Sequence, residues 1–531
     1  MNRFIKIFGS LRAAWIVALS ACACLCFMAV WFGGLNQDEG WYLYAAQSVH
    51  EGKIPYRDFF YTQGPAMPFV YSVFAPLWHS FFSPVQGLLG GRLVTLGFGF
   101  LTVLLSVLLA RALSPKRSAA IAGFSAFAFF ACNIYHLYFN AIPKTYALAG
   151  AFVIGGFLFF LKGIGKSGIA KAVLLFVSGF LFAGASGTRI SLALVPIVAS
   201  LSLLFAFRSF KFAFLPFGIG ALSGFGITYG IFLLDVDAFK GLLFAQWYHA
   251  SRGGFDFFFA AGSVLRLLRG YAALAVVAFL TLAFTLVKAD KSTVPSLDRK
   301  ASFTVKTMLL SFAAVFLLQL SAPFPYDDYQ VPVMGLAAIP LAAGFARLFP
   351  SPQFGWFTLA VTLVVSASSP LLQDWTTYAP DRFWSRKAEM TELAKLRQAS
   401  RVINDMDPDG NTILTQDLYL AIETSRKVPE GLEMGPFSLF PGLTDEDAKK
   451  FKVHNVSTLT NLIASSGCSV AAMSGYGFAI AAPKCDRTSA ADLTKIGLAL
   501  DTAFEPVANV PDFGQNETTL TVYKRRQGGT K

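Results

Sequence analysis

The stretch "GLNQDEGWYLYAAQSVHEGKIPYRDFFYTQGP", Gly34 to Pro65, decides how the rest of the chain is read. It follows a long apolar run that begins near residue 13. It is dense in acids, aromatics and amides, and two adjacent carboxylates, Asp38 and Glu39, stand at its start. What those carboxylates can do depends on which face of a membrane they occupy.

Composition sets the class. The 531 residues are 55% hydrophobic and 14% charged, with mean hydropathy +0.54. Soluble chains carry roughly a quarter charged residues. Apolar runs of about 20 residues recur, each long enough to cross a hydrocarbon core of about 30 Å. The chain reads as a polytopic helical membrane protein, with about eleven crossings at 13–35, 86–110, 119–139, 146–161, 172–185, 190–207, 212–233, 270–287, 307–322, 331–347 and 355–373. From Asp374 to Lys531 the composition becomes that of an ordinary polar α/β domain, with "NTILT", "SVAAMS", "FAIAA" and "TTLTVY" as expected strands.

The net charge of +13 does not point to nucleic acid, because Lys and Arg cluster in alternate loops. Arg3, Lys6 and Arg12 form one such cluster, Arg111, Lys116 and Arg117 another, and Lys162, Lys166 and Lys171 a third. This is the positive-inside pattern, and it places the N-terminus in the cytoplasm. An odd number of crossings then puts the C-terminal domain outside the cytoplasmic membrane. The apolar piece "AMPFVYSVFAPLWHSFFSP", 66–84, would invert the charge bias if it spanned, so it is expected to lie in the outer interface. The 11 acids before Asp374 follow the same topology: only Asp290 and Asp298 fall in a cytoplasmic loop. The others fall on the outer face.

Cysteine and histidine usage narrows the chemistry. "LSAC", Leu19 to Cys22, matches a lipoprotein cleavage box, but the apolar run continues for about a dozen residues beyond it, so an uncleaved first span is expected. Cys468 and Cys485 both fall in the C-terminal domain, either bridged or as two thiols. No Cys or His cluster has ligand spacing, so no metal or other cofactor is indicated.

In the first loop (36–85), "DEGWYLYAAQSVHEG" reads as a helix with Trp41, Tyr44, Ala45 and Ser48 on one face. It is expected to lie along the membrane surface with its aromatics at headgroup depth. Asp38 is either its N-cap or a functional carboxylate. "IPYRDFFYTQGP" follows, with Arg57, Asp58, Tyr61 and Gln63 between two prolines. An interfacial helix bearing carboxylates, beside an arginine and amides, suits an amphiphile with a polar head and a tail in the bilayer.

At this point the chain resembles the GT-C membrane glycosyltransferases, in the bacterial branch that holds the protein O-mannosyltransferases and the aminoarabinose transferase of lipid A. The likeness rests on the long first loop with its acidic pair, on "APFPYDDYQVPVMGLAAIPLAAG" (322–344) and on "NTILTQDLYLAIETSRKVPEGLEMGPF" (411–437). Two elements depart from the branch: Tyr61-Thr62-Gln63-Gly64-Pro65 stands where it has a Lys-Pro-Pro element, and "NAIPKTY" carries Lys144 where its second outer loop has an acid.

The resemblance implies transfer of a sugar from a polyprenyl-phosphate donor to a lipid, glycan or protein acceptor of the cell envelope. Such chemistry needs a base for the acceptor hydroxyl, worth about 10²–10⁴ in rate. It also needs donors or cations for the leaving phosphate. The resemblance puts the base at Asp38. Glu39 either positions the sugar or is a first-turn acid. For the phosphate, Arg57 is the first candidate, with Arg189 in "GASGTRIS" the second, read equally as a snorkelling arginine at a span end. Arg252, Arg266 and Arg269 form a third pool. Trp247, Tyr248 and His249 are either sugar-stacking or interfacial anchors. Tyr326, Asp327, Asp328 and Tyr329 are either a solvated loop or a second acidic cluster near the first. Against a transporter stands the absence of any acid mid-span. An outer-face polymerase or ligase would carry its signature in a late loop, and a non-catalytic scaffold would leave the polar first loop without a purpose.

Overall fold

A computed structural model describes residues 10–80, 87–206, 210, 212–251, 254–287, 297–375, 390–475 and 488–526. Cys485, the second of the two cysteines read as bridged or as two thiols, and the expected strand "FAIAA" lie outside them, as does Arg252.

Among the described residues, six helices are long and apolar enough to cross a membrane: Leu11–Trp31, Gly87–Leu113, Thr145–Ile164, Gly168–Thr188, Phe214–Leu234 and Arg299–Leu320. At 1.5 Å per residue each covers at least about 30 Å, the thickness of the hydrocarbon. Three further spans are bent pairs, Ala119–Ala131 with Ile134–Ala141, Phe257–Gly270 with Ala272–Val287, and Asp327–Val333 with Gly335–Leu348, broken by 66°, 78° and 57°. Two shorter apolar helices, Ile190–Phe205 and Pro352–Ala367, complete the set. These segments fall where the sequence places its crossings, and the chain is a multi-pass membrane protein. Between 66 and 80 stand only the short helices Ala66–Ser72 and Ala75–Ser80, neither of spanning length.

The hub is Thr145–Ile164, with 83% of its apolar window buried, against 28% to 39% for the other five. Those five show large apolar side chains outward, among them Leu222 at 74% and Leu234 at 90% exposure. A bilayer is the solvent that makes such a surface stable.

The bends are braced against one another. Asn133, at the first, caps its helix by accepting from the N–H groups of Tyr135 and His136 and donates to the Gly270 carbonyl at the second, 3.0 Å away. Ser366 accepts from Ile134 N–H at 3.0 Å and donates to the Cys132 carbonyl at 2.7 Å. Each broken turn would otherwise strand backbone polar groups in an apolar medium. Gly270 is a glycine for contact: a Cβ there would run into the Tyr135 ring.

The C-terminal domain holds one four-stranded sheet in the order β1-β2-β4-β3, from β1 (Leu414–Thr415), β2 (Val470–Met473), β3 (Phe504–Phe513) and β4 (Thr518–Arg525). β1 and β2 run parallel; β4 is antiparallel to both its neighbours. β3 has no counterpart among the expected strands because Pro506 and Pro511 interrupt its pattern. It lies at the sheet edge and carries two register shifts, which is where prolines are tolerated.

The first-loop helix, Gln37–His50, does not lie with its aromatics among headgroups. Trp41, Tyr44, Ala45 and Ser48 are all buried, in one apolar core with the C-terminal domain. The reason is a partner that periodicity does not reveal. Tyr44 Oη accepts from Val428 N–H at 3.0 Å, Gln37 N–H donates to Gln515 at 3.2 Å, and Lys427 pairs with Glu51 at 2.7 Å. Gly40 lies so close to the Leu418–Tyr419 backbone that a Cβ would collide with it.

Glu423 fastens the same domain to the start of the span Gly87–Leu113 by accepting from Leu88 N–H at 3.1 Å. Burial pushes its carboxyl up to about 7 from an ordinary 4.5, against the N–H and the nearby arginines 397 and 92, which favour the charge. A raised carboxyl holds its proton more tightly folded than unfolded. Its contribution to stability is therefore full below 4.5 and is lost as pH rises through about 7. Glu423→Gln, which keeps an acceptor for Leu88, is expected to melt with the wild type near pH 4 and above it at about pH 8.5 in a thermal unfolding series. Equal melting at both pH values would remove this linkage.

Candidate active site

The helix that carries the acidic pair is capped by neither acid alone. Asn36 is the N-cap, its side chain accepting from Asp38 N–H at 3.1 Å, while Glu39 reaches back to accept from Asn36 N–H at 2.9 Å. Asp38 is left free of capping duty. Its carboxylate is 23% exposed.

Glu39 is fully buried in a two-pronged pair with Arg92, both contacts at 2.7 Å. Arg92 spends its remaining donors on the carbonyls of Val30, Gly33 and Gly34, at 2.8, 3.1 and 2.9 Å. Glu39 has no exposed surface and both its oxygens are engaged, an arrangement that suits holding the first loop in place.

Asp38 faces a different neighbour. Its Oδ2 lies 3.0 Å from Lys144 Nζ, and Trp41 Nε1 donates to its Oδ1 at 3.2 Å. The same ammonium lies 3.0 Å from Asp328 Oδ2, to which Tyr146 Oη also donates at 2.9 Å. Burial opposes the charge on Lys144, but Asp328 and Asp38 outweigh it and hold its pKa well above the usual value. Asp327 turns away, accepting from Tyr135 Oη at 2.7 Å and Arg266 Nε at 2.9 Å. Asp328 is therefore joined to the first loop through Lys144.

Arg189 stands beside this cluster. Its guanidinium lies 5.1 Å from the Tyr146 ring and 4.6 Å from the Tyr329 ring, and its Nη1 donates to Thr145 Oγ1 at 3.4 Å. Its buried Nε has no hydrogen-bond partner among the described residues. Arg189 borders a cavity of about 510 Å³, together with Thr62, Gln63, Gln246, Gln319, Phe324 and Tyr329. A second cavity, of about 300 Å³, is bordered by Tyr135, Phe139, Arg266, Arg269 and Asp327.

The other expected residues divide. Gln63 and Tyr329 border the larger cavity. Tyr326 stacks edge-on against Phe259 and Tyr329 and is 36% exposed. Tyr61 is buried among Trp41, Tyr42, Tyr56 and Phe59 and serves the core. Arg57 forks onto its own neighbour Asp58, both contacts at 2.9 Å, on an exposed surface, and neither borders a described cavity. A guanidinium beside a carboxylate one residue away finds that partner first, which is why Arg57 is held apart from the cluster. Sequence reasoning missed Arg92 and gave Lys144 no role. Both carried a signal: an arginine inside a span, and a lone lysine in a loop on the face that is otherwise poor in Lys and Arg.

No protein-family model matches the chain, and no curated protein matches its sequence. Solved structures match its fold. ArnT from Cupriavidus metallidurans in the apo state aligns with a TM-score of 0.62 and 14% identity, over 97% of this chain and 98% of that one. The structure of that protein bound to undecaprenyl phosphate aligns at 0.58 and 14%, over 96% and 98%. The oligosaccharyltransferase AglB from Archaeoglobus fulgidus aligns at 0.45 and 12%, over 97% and 75%. At such identity the likeness to ArnT is one of fold.

The Glu39–Arg92 pair generates an expectation of its own. Removing one partner of a buried pair costs about 3–5 kcal/mol, because the other is stranded. Arg92→Met is expected to lower the melting temperature sharply, and Arg92→Met with Glu39→Gln to recover part of the loss. A wild-type melting temperature for Arg92→Met would show that the pair does not hold the first loop.

Proposed function

From a chain that folds as ArnT does and sets a partly exposed carboxylate near an arginine that borders a cavity, we propose an integral membrane glycosyltransferase. It transfers a sugar from a polyprenyl-phosphate carrier to a lipid, glycan or protein acceptor of the cell envelope. It acts on the outer face of the cytoplasmic membrane, with the N-terminus inside and the domain from about residue 374 outside. The observation that carries the reading is the ring that joins the two groups: Lys144, which holds Asp38, and Arg189, which borders the cavity, lie 5.4 and 5.1 Å from the centroid of Tyr146.

The chemistry follows from those groups. Asp38 takes the proton of the acceptor hydroxyl. The acceptor oxygen bonds to the anomeric carbon as that carbon's bond to the phosphate oxygen breaks. The electron pair leaves with the polyprenyl phosphate, and the guanidinium of Arg189 faces the charge that develops there. The apolar part of the cavity wall, Ile190, Leu318 and Phe324, suits the start of an isoprenoid tail. ArnT, an aminoarabinose transferase, supports the class by fold and by its complex with undecaprenyl phosphate.

Asp38→Asn removes the negative charge and keeps the shape. Because Asn36 and Glu39 cap the helix, the substitution is expected to leave folding intact. Turnover of radiolabelled polyprenyl-phosphate sugars should fall by about 10²-fold or more. Wild-type turnover by Asp38→Asn would sink the assignment of the base, and failure of the wild type with every donor in a broad panel would sink the function.

The two arginines separate in a binding assay. A lost charge-assisted hydrogen bond is worth about 1.5–3 kcal/mol, or roughly 10- to 100-fold in affinity. Arg189→Ala is expected to weaken polyprenyl-phosphate binding by that factor, and Arg57→Ala to change it little. The reverse order would move the phosphate site to the first loop.

A further inference from the structure

Asp38 and Asp328 come from parts of the chain far apart in sequence and point at one atom. Lys144 Nζ is 3.0 Å from an oxygen of each. Its side chain is 7% exposed and is flanked by the Phe139 and Tyr146 rings, at 5.7 and 5.4 Å from their centroids. Two carboxylates brought to one small site repel, and both stay ionised only with a cation between them. A divalent ion held by oxygen ligands is one such cation. In this chain the place between the two oxygens is filled by a side chain.

We propose that the Lys144 ammonium is the built-in counter-cation of this site, bridging the base Asp38 to Asp328 so that transfer proceeds without a divalent metal ion. This rests on the reading of the chain as a glycosyltransferase with Asp38 as its base. The charge count gives Asp328 its purpose. Asp38, Asp328 and Lys144 sum to one negative charge, and the shared ammonium holds Asp38 in place. Once Asp38 has taken the acceptor's proton, the ammonium retains Asp328 as its partner and is not stranded in a buried site. Lys144 is a positioning residue: it acts through Asp38. Asp328 in turn is fixed by Tyr146 Oη at 2.9 Å, and "IPKTY" delivers the lysine from the turn just before the hub helix Thr145–Ile164.

The test uses the full-length protein in detergent or nanodiscs and Mn²⁺ as the probe, read by electron paramagnetic resonance. The wild type is expected to bind no Mn²⁺ at this site and to keep its transfer rate, within about twofold, after chelation. Lys144→Ala leaves the two carboxylates facing an empty space. It is expected to gain a Mn²⁺ site, to lose that site again on adding Asp328→Asn, and to transfer about 10²-fold more slowly with partial rescue by Mn²⁺. Lys144→Arg keeps the cation and is expected to gain no Mn²⁺ site. A merely structural lysine would give slow transfer without metal rescue and no new ion site, which would overturn the proposal. Loss of wild-type transfer on chelation, restored by Mn²⁺, would overturn it too, and that arm needs no variant to fold. The Mn²⁺ signal is read with neither donor nor acceptor present, so it judges the role of Lys144 even where the sugar-transfer reading fails.

Discussion

A guanidinium with no exposed surface sits where the first span ends. Arg92 binds both oxygens of Glu39 and three carbonyls at the end of that span and the start of the loop. Such a charge is tolerable in an apolar surrounding only when every donor is used. Its partners come from the helix Leu11–Trp31, the following turn and the first-loop helix, so satisfying it locks three pieces into one geometry. Asp38, next in sequence to Glu39, inherits its position from that lock. The neighbouring carboxylate is given to structure, and Asp38 is left partly exposed.

The second constraint is the bending of the spans. Three apolar segments break, and hydrogen bonds from Asn133 and Ser366 meet the freed backbone groups at two of the breaks. Unbroken helices would carry their loops past one another at the membrane surface. The breaks turn chain inward, and Lys144, Asp328 and Tyr135 converge from these turns and the loops beside them. The two cavities flank that convergence, one bordered by Arg189 and Tyr329, the other by Arg266 and Asp327. The C-terminal domain contributes from above by packing on the first-loop helix through Gly40 and Tyr44. It serves as the seat of that helix.

Much of this was legible in the residues. Apolar run length located the spans because a bilayer demands about 20 apolar residues whatever the tertiary packing. The acids 38 and 328 stood out because charge is scarce in this chain. Partnerships were not legible. Nothing in "IPYRDFF" distinguishes an arginine aimed at a ligand from one folded onto its neighbour Asp58, and nothing in "DEGWYLYAAQS" says that Trp41 and Tyr44 meet a domain some 390 residues later rather than lipid. The edge strand β3 was hidden by two prolines that matter only in a central strand. Lys144 was visible as a departure from the family pattern, but its meaning depends on a distance to Asp38 and Asp328 that no local pattern encodes.

The most direct measurement is a structure of the protein in lipid nanodiscs with a polyprenyl phosphate bound. The account expects the phosphate in the cavity bordered by Arg189, Gln63 and Tyr329, on the side facing Asp38, with the tail leaving past Leu318. A phosphate seated on Arg57, or a lipid that leaves this cavity empty, would contradict it.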